Sequence, residues 1–316
     1  MENLNDSLQK IHEKAVKDWW ELDDNFKKWS GKTYEAEYRD YLHYLVRKEK
    51  ILHLKKKIKL DKQARILELG FGGGELAGDI LNMGYEYYGI DISEKFCQRA
   101  TLKYKNYVID KKAKFIEASL EKEYPFEENF FDLVITSGSI HYAGNISNAI
   151  KEIKRVLKPN RNFIIAQGNM YTLNDLIFFR KLLKCLVWFF TKENFMHSYS
   201  YSFKDIIMES KLSKFFKKYE NSKFMNSGFM LKNQNKWKYK ISKRLFSYSK
   251  IKNLVDKNNF ETIEVLGGPF LYNGDKNSSL KKKVNLILQR LLDDKVLPFL
   301  IRFSDNIILL CKVKKD

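Results

Sequence analysis

Between Ala64 and Gly168 the chain repeats one pattern: a short apolar run, then a stretch with apolar residues at helical spacing. The runs are ARILELG at 64–70, YEYYGIDI at 85–92, AKFIEA at 113–118, FDLVITSG at 131–138 and NFIIAQG at 162–168. Strands buried on both faces read as continuous apolar runs, so the alternation predicts β-α-β units around a parallel sheet. The intervening helices are predicted from Glu75 to Met83, from Ser93 to about Tyr107, and from Ile146 to Leu157, ending before Lys158-Pro159. Ser93 suits the N-cap of the second. A further helix over 247–258 leads into FETIEVLGG at 260–268, and DNIILLCKV at 305–313 supplies the last strand.

Two segments stand outside this pattern. Residues 8–60 contain no Pro and one Gly, and place Leu45, Ile51, Leu52 and Leu54 among charges, which predicts two or three helices. Residues 170–245 fit no β-α unit and are expected to form a helical insertion, a lid or acceptor-binding element. In its stretch LIFFRKLLKCLVWFF at 176–190, Arg180, Lys181 and Lys184 occupy one narrow stripe of an otherwise apolar helix. The expected organisation is an N-terminal helical cap at 1–60, one α/β domain built from 61–169 and 246–316, and the insertion at 170–245.

The chemistry concentrates where the first strand, RILEL, runs into Gly70-Phe71-Gly72-Gly73-Gly74-Glu75 and then a helix. Glycines let the backbone turn sharply and approach a ligand without a Cβ in the way. A dinucleotide site would favour G-x-G-x-x-G with a bare helix start for the pyrophosphate, whereas Glu75 places a carboxylate there. The pattern suits a ligand without phosphates, whose cationic amino group can meet Glu68 at the strand end. Asp91 closes the second strand 21 residues beyond Gly70, the spacing at which a carboxylate accepts from ribose hydroxyls in a βαβ nucleoside site.

On these residues the sequence resembles the class I S-adenosyl-L-methionine-dependent methyltransferases, and more narrowly their small-molecule, quinone-methylase-like members. ILELGFGGG resembles the family's first motif, GIDIS its second, FIEASLEKEYPFEENFFDLVITSGSIHY its third and fourth, and IKEIKRVLKPN the helix and turn that follow. The resemblance is close over 64–168, loose over 247–268 and 305–313, and absent from 1–60 and 170–245. It implies a Rossmann-like α/β methyltransferase fold: a mostly parallel seven-stranded sheet in the order 3-2-1-4-5-7-6, helices on both faces, and the last strand antiparallel. It implies S-adenosyl-L-methionine as cofactor and S-adenosyl-L-homocysteine as product. Glu68, Gly70, Phe71, Gly72 and Gly74 would cradle the methionine and ribose part, with Ser137 at the fourth strand's end. Asp91 would take the ribose diol, Ile92 would lie against the adenine, and Ser119 and Leu120 would flank its edge. The family usually carries Asp where Ser119 stands, accepting from the adenine amino group. Here that role falls to the Ser hydroxyl or to neighbouring Glu117 or Glu121.

Methyl transfer from a sulfonium is an in-line displacement, so a base is needed only when the acceptor must lose a proton. His141 and Tyr142, just past the fourth strand, are the candidate catalytic residues, and capping or packing is the competing role for His141. The TSGS turn differs from the Asn/Asp-Pro-Pro-Tyr turn of amino-methylating nucleic-acid enzymes, and no Pro-Cys nucleophile lies near it. The net charge of +19 would favour an anionic substrate or RNA, but the lysines are dispersed, as in any Lys-rich and Asn-rich proteome. A small-molecule acceptor therefore ranks first, with RNA, a membrane-borne lipid, or cofactor binding without catalysis as alternatives. Cys97, Cys185 and Cys311 are far apart and the five His are scattered, so neither a metal site nor a disulfide framework is expected. No run of about 20 uncharged apolar residues could span a membrane. Residues 1–17 lack the apolar core of a signal peptide, and a cytoplasmic enzyme is expected.

Overall fold

The computed structural model describes residues 38–143, 145–169, 246–268 and 298–314, together with isolated positions in 10–21, 195–196, 229–244 and 284–296. The elements in chain order are α1 (Tyr38–Lys57), β1 (Arg65–Leu69), α2 (Glu75–Asn82), β2 (Glu86–Asp91), α3 (Glu94–Lys103), α4 (Lys105–Ile109), β3 (Ala113–Glu117), β4 (Phe131–Ser137), α5 (Ile146–Val156) and β5 (Leu157–Gly168). After the insertion come α6 (Tyr248–Lys257), β6 (Phe260–Gly267) and β7 (Asn306–Val313). One seven-stranded sheet runs in the order β6-β7-β5-β4-β1-β2-β3. Its strands are parallel except β7, which pairs antiparallel with both β5 and β6. This is the order expected from the resemblance.

Period-two alternation divides the sheet's side chains between two cores. Ile66, Leu133, Ile135, Ile164 and Ile308 point to one face, where α1 (Ile51, Leu54), α2 (Leu76, Ala77, Ile80) and α3 (Phe96, Cys97, Ala100) cover them. Leu67, Leu69, Val134, Phe163, Ile165 and Leu309 point to the other, covered by α5 (Ala149, Ile150, Ile153) and α6 (Ile251, Val255). Continuous apolar runs were needed because both faces are covered. Ser93 caps α3 as expected, its hydroxyl accepting from the Phe96 N–H.

Three departures have local causes. The helix expected over 93–107 breaks at Tyr104, whose φ of −110° and ψ of 30° leave the helical region; there its hydroxyl reaches the Gly74 carbonyl at 2.6 Å and its ring stacks on Phe115. Strand β5 starts at Leu157, five residues before the apolar run. Lys158 precedes Pro159 and favours extended backbone, and Asn160, with φ of 59°, makes a bulge before pairing with β4 resumes at Asn162. Within 170–245, expected to be helical, the described residues are strands: Phe229–Asn233 pairs antiparallel with Lys236–Lys240, and Phe195–Met196 with Lys243–Arg244. The alternation Lys236-Trp237-Lys238-Tyr239-Lys240 is a strand pattern. The stretch 176–190 and the side chain of Leu45 lie outside the described residues.

Candidate functional site

In a sheet of this order the crevice opens at the carboxyl ends of β1 and β4, where the strand order reverses. The glycine turn occupies that edge. Gly70 has φ of +65°, and a Cβ built on it would overlap the Ser139 side chain, so no larger residue fits. Ser139 is itself fixed, its hydroxyl donating to the Leu69 carbonyl at 2.5 Å and lying 2.8 Å from Thr136 Oγ1. Gly72, φ +53°, differs: a Cβ there would meet nothing within 4 Å. Its side-chain face borders open space and its N–H donates to Asp91 Oδ2 at 2.9 Å. Gly74 is the residue before α2, held by the Tyr104 hydroxyl.

Asp91 is buried at the end of β2, its other oxygen accepting from the Ser93 N–H at 3.0 Å. Burial pushes its pKa up to about 6, against the lowering effect of the backbone N–H groups of Ser93 and Gly72. Glu68 is buried at the end of β1 and accepts from the Tyr87 hydroxyl at 2.6 Å. Its pKa is pushed up to about 8, chiefly by burial; the Tyr87 hydrogen bond opposes this, the nearby Asp91 charge adds to it, and Arg47 opposes it. A buried carboxylate at Asp91 and a buried carboxyl group at Glu68, whose proton an arriving cation would displace, make beside an open backbone cradle a site that favours a cationic ligand carrying hydroxyl donors. The ammonium, sulfonium and ribose of S-adenosylmethionine have that chemistry, so the residues fit the group.

The other expected residues divide by location. Ile92 is half-buried beside Asp91. Ser119 and Leu120 follow β3, which pairs Glu117 with Asp91, and the Ala118 N–H donates to the Asp91 carbonyl at 2.9 Å, so they lie next to the end of β2. Ser137 ends β4, half-buried. Phe71 is turned inward: 5% exposed, it packs edge-on against Phe115, and its ring would collide with any Cβ at Gly89. Its backbone belongs to the turn, while its side chain belongs to the core. His141 and Tyr142 form a 3-10 turn beyond β4, with His141 Nδ1 2.7 Å from Gln167 Oε1 and the two rings 4.2 Å apart.

Sequence reasoning missed three residues at this edge. Ser139 buttresses Gly70. The Arg47 guanidinium of α1 sits where a Cβ at Gly138 would project, close enough to lower the Glu68 pKa. Glu13 bonds to Ser119. Among the charges of residues 8–60, nothing marks Arg47 or Glu13; Ser139 lies in the TSGS turn, where its burial has no sequence signal.

Residues 67–165 match the methyltransferase domain family. The sterol 4-C-methyltransferase of Caenorhabditis elegans is 32% identical over 113 residues, which cover 36% of this chain and 34% of that protein. The demethylmenaquinone methyltransferase of Chlorobaculum tepidum is 26% identical over 151 residues, 46% of this chain and 60% of that protein. The chain thus spans between about a third and three fifths of the length of these relatives. A solved S-adenosylmethionine-dependent methyltransferase from Methanosarcina mazei shares the fold, with a TM-score of 0.50 at 13% identity over 81% of this chain and 95% of that one. Residues 67–165, which carry the glycine turn and Asp91, are similar to the methyltransferase domain family, and the sheet they belong to has the fold of the solved S-adenosylmethionine-dependent methyltransferase.

Proposed function

We propose that the chain transfers a methyl group from S-adenosylmethionine to a small, largely apolar acceptor. The observation that carries the reading is the Gly72–Asp91 arrangement: a positive-φ glycine facing open space, its N–H tied to a buried carboxylate. When bound, the cofactor supplies an electrophilic methyl group. Asp91 would hold the ribose diol and Glu68 the ammonium, while Arg47, beside Glu68 and over Gly138, would take the cofactor's carboxylate. Ile92, Ser119 and Leu120 would line the base. The chain's catalytic contribution is then to hold donor and acceptor in line and keep water out.

His141 is the candidate base for an acceptor that must lose a proton. If its Nδ1–H donates to Gln167, the opposite nitrogen carries the lone pair. Tyr142, next to it, would line the acceptor side. The sterol and quinone named for the two relatives support an apolar ring-bearing acceptor over RNA. No helix among the described residues is long and apolar enough to cross a membrane, and the buried free thiols Cys97 and Cys311 support a reducing compartment such as the cytoplasm.

The test is to incubate the chain with methyl-tritiated S-adenosylmethionine and, separately, demethylmenaquinone, a sterol and total RNA. Label entering the organic phase with stoichiometric S-adenosylhomocysteine supports the proposal. Label entering RNA, or cofactor bound without turnover on any acceptor, overturns the acceptor class.

A further inference from the structure

Two acids beside Ser119 were candidates to read the base, and the structure engages both elsewhere. Glu117 is exposed and pairs with Lys17 Nζ at 2.5 Å. Glu121 is buried and accepts from the Asn145 N–H at 3.1 Å, which ties it to the start of α5. A third carboxylate comes from 106 residues away. Glu13 is 9% exposed; its Oε1 accepts from Ser119 Oγ at 2.8 Å and its Oε2 pairs with Lys122 Nζ at 2.7 Å.

Glu13 arrives with a segment anchored along its length. Lys17 pairs with Glu117 at the end of β3, the Glu94 N–H donates to Glu21 Oε1 at 2.9 Å at the start of α3, and Lys95 Nζ donates to the Glu21 carbonyl at 2.7 Å. Trp20 packs against Phe96 at 6.4 Å and edge-on against Tyr142 at 5.5 Å. The partners of Glu13, Lys17, Glu21 and Trp20 lie at or just past the carboxyl ends of β3, β2 and β4, the edge that carries the glycine turn and Asp91.

Resting on the cofactor reading above, we propose that Glu13, delivered to Ser119 by this segment, is the specificity residue for the cofactor's base, accepting with the Ser119 hydroxyl from the exocyclic amino group of adenine. The placement follows from the sheet. A nucleoside whose ribose is held at Asp91 extends its base towards the neighbouring strand end, and Ser119 stands two residues past Glu117, the register partner of Asp91. The capacity follows from chemistry. A carboxylate offers about four acceptor sites, and among the described residues Glu13 uses two. Ser119 Oγ donates to Glu13 and accepts from the Glu121 N–H, which leaves it a further lone pair. A pair of acceptors rewards an amino group and repels a carbonyl oxygen, which is how a site distinguishes adenine from hypoxanthine.

The experiment compares binding of S-adenosylhomocysteine and S-inosylhomocysteine by calorimetry to the full chain and to Glu13→Gln, Ser119→Ala, Lys122→Ala and Lys17→Ala, with folding checked by circular dichroism. The full chain is expected to prefer the adenosyl compound by about 10–100-fold. Glu13→Gln, whose amide can donate to the oxo group, should narrow the preference to under about threefold. Ser119→Ala should narrow it partly. Lys122→Ala and Lys17→Ala, which loosen the segment but keep the Glu13 carboxylate, should weaken both compounds together and leave the ratio intact. A ratio unchanged in folded Glu13→Gln, or in Ser119→Ala if Glu13→Gln does not fold, overturns the inference while the cofactor reading stands. Failure of the unaltered chain to bind either compound overturns the cofactor reading itself.

Discussion

Asp91→Ala is the perturbation that separates the site's two uses of one side chain. In the folded protein the carboxylate accepts from the Gly72 N–H at 2.9 Å and the Ser93 N–H at 3.0 Å, and these bonds tie the glycine turn to the end of β2. Removing it deprives two N–H groups of their acceptor, at about 1 kcal/mol each. It also relieves a buried carboxylate whose pKa has been pushed up to about 6, so the two effects oppose and the net loss of stability stays below about 2 kcal/mol. The ligand has no such offset. Two charge-assisted hydrogen bonds from the ribose diol are worth on the order of 1.5–3 kcal/mol, or about 10–150-fold in affinity. Because the ionised form does the accepting, affinity in the unaltered chain should hold above about pH 6 and fall as the pH drops through that value. Calorimetry with S-adenosylhomocysteine, paired with urea unfolding in the absence of ligand, measures both quantities. Binding within about threefold of the unaltered chain in folded Asp91→Ala would refute the ribose assignment.

The two glycines should respond in opposite ways. Gly70→Ala meets both a positive φ and Ser139, and should cost about 2–4 kcal/mol in urea unfolding; Gly72→Ala has open space and should cost only about 1 kcal/mol of stability while lowering cofactor affinity more than tenfold. The reverse ranking would show that Gly72 does not border the ligand. Glu68, with its pKa raised to about 8, holds a proton in the folded state that the unfolded chain has lost above about 4.5, so stability of the free protein should decline as pH rises between those values. Binding an ammonium group there should release a proton at pH 7, read as a binding enthalpy that changes with the buffer's ionisation enthalpy; no buffer dependence would contradict the Glu68 assignment. His141→Asn should leave S-adenosylhomocysteine affinity within about twofold while lowering turnover about 10²–10⁴-fold on an acceptor that must lose a proton; unchanged turnover on such an acceptor would return His141 to a packing role.

The sheet was legible because burial on both faces leaves its trace in every strand: ILEL, GIDI, VITS and FIIA admit few charges. The turn after β1 and its tie to the end of β2 were legible because glycine and acid spacing encode backbone shape. Long-range contacts were not legible in the same way. Nothing near Phe71 announces that its ring fills the space above Gly89, and the orientation depends on Phe115 from another strand. The break at Tyr104 follows from a hydroxyl reaching Gly74 thirty residues earlier, while helical periodicity runs on through it. Glu13 and Arg47 read as solvent-facing charges on amphipathic helices, and only the packing of those segments against the sheet brings them to the site. The strand alternation at 236–240 was present in the sequence but was outweighed by the apolar stretch at 176–190.

The central claim is that the edge built from Glu68, the glycine turn and Asp91 is a site for S-adenosylmethionine. Calorimetry of the full chain against S-adenosylmethionine, S-adenosylhomocysteine and NAD tests it directly. The account predicts one site per chain for both sulfur compounds, mutually competitive, weakened by Asp91→Ala, with no measurable binding of NAD. Binding of NAD with neither sulfur compound bound would contradict it.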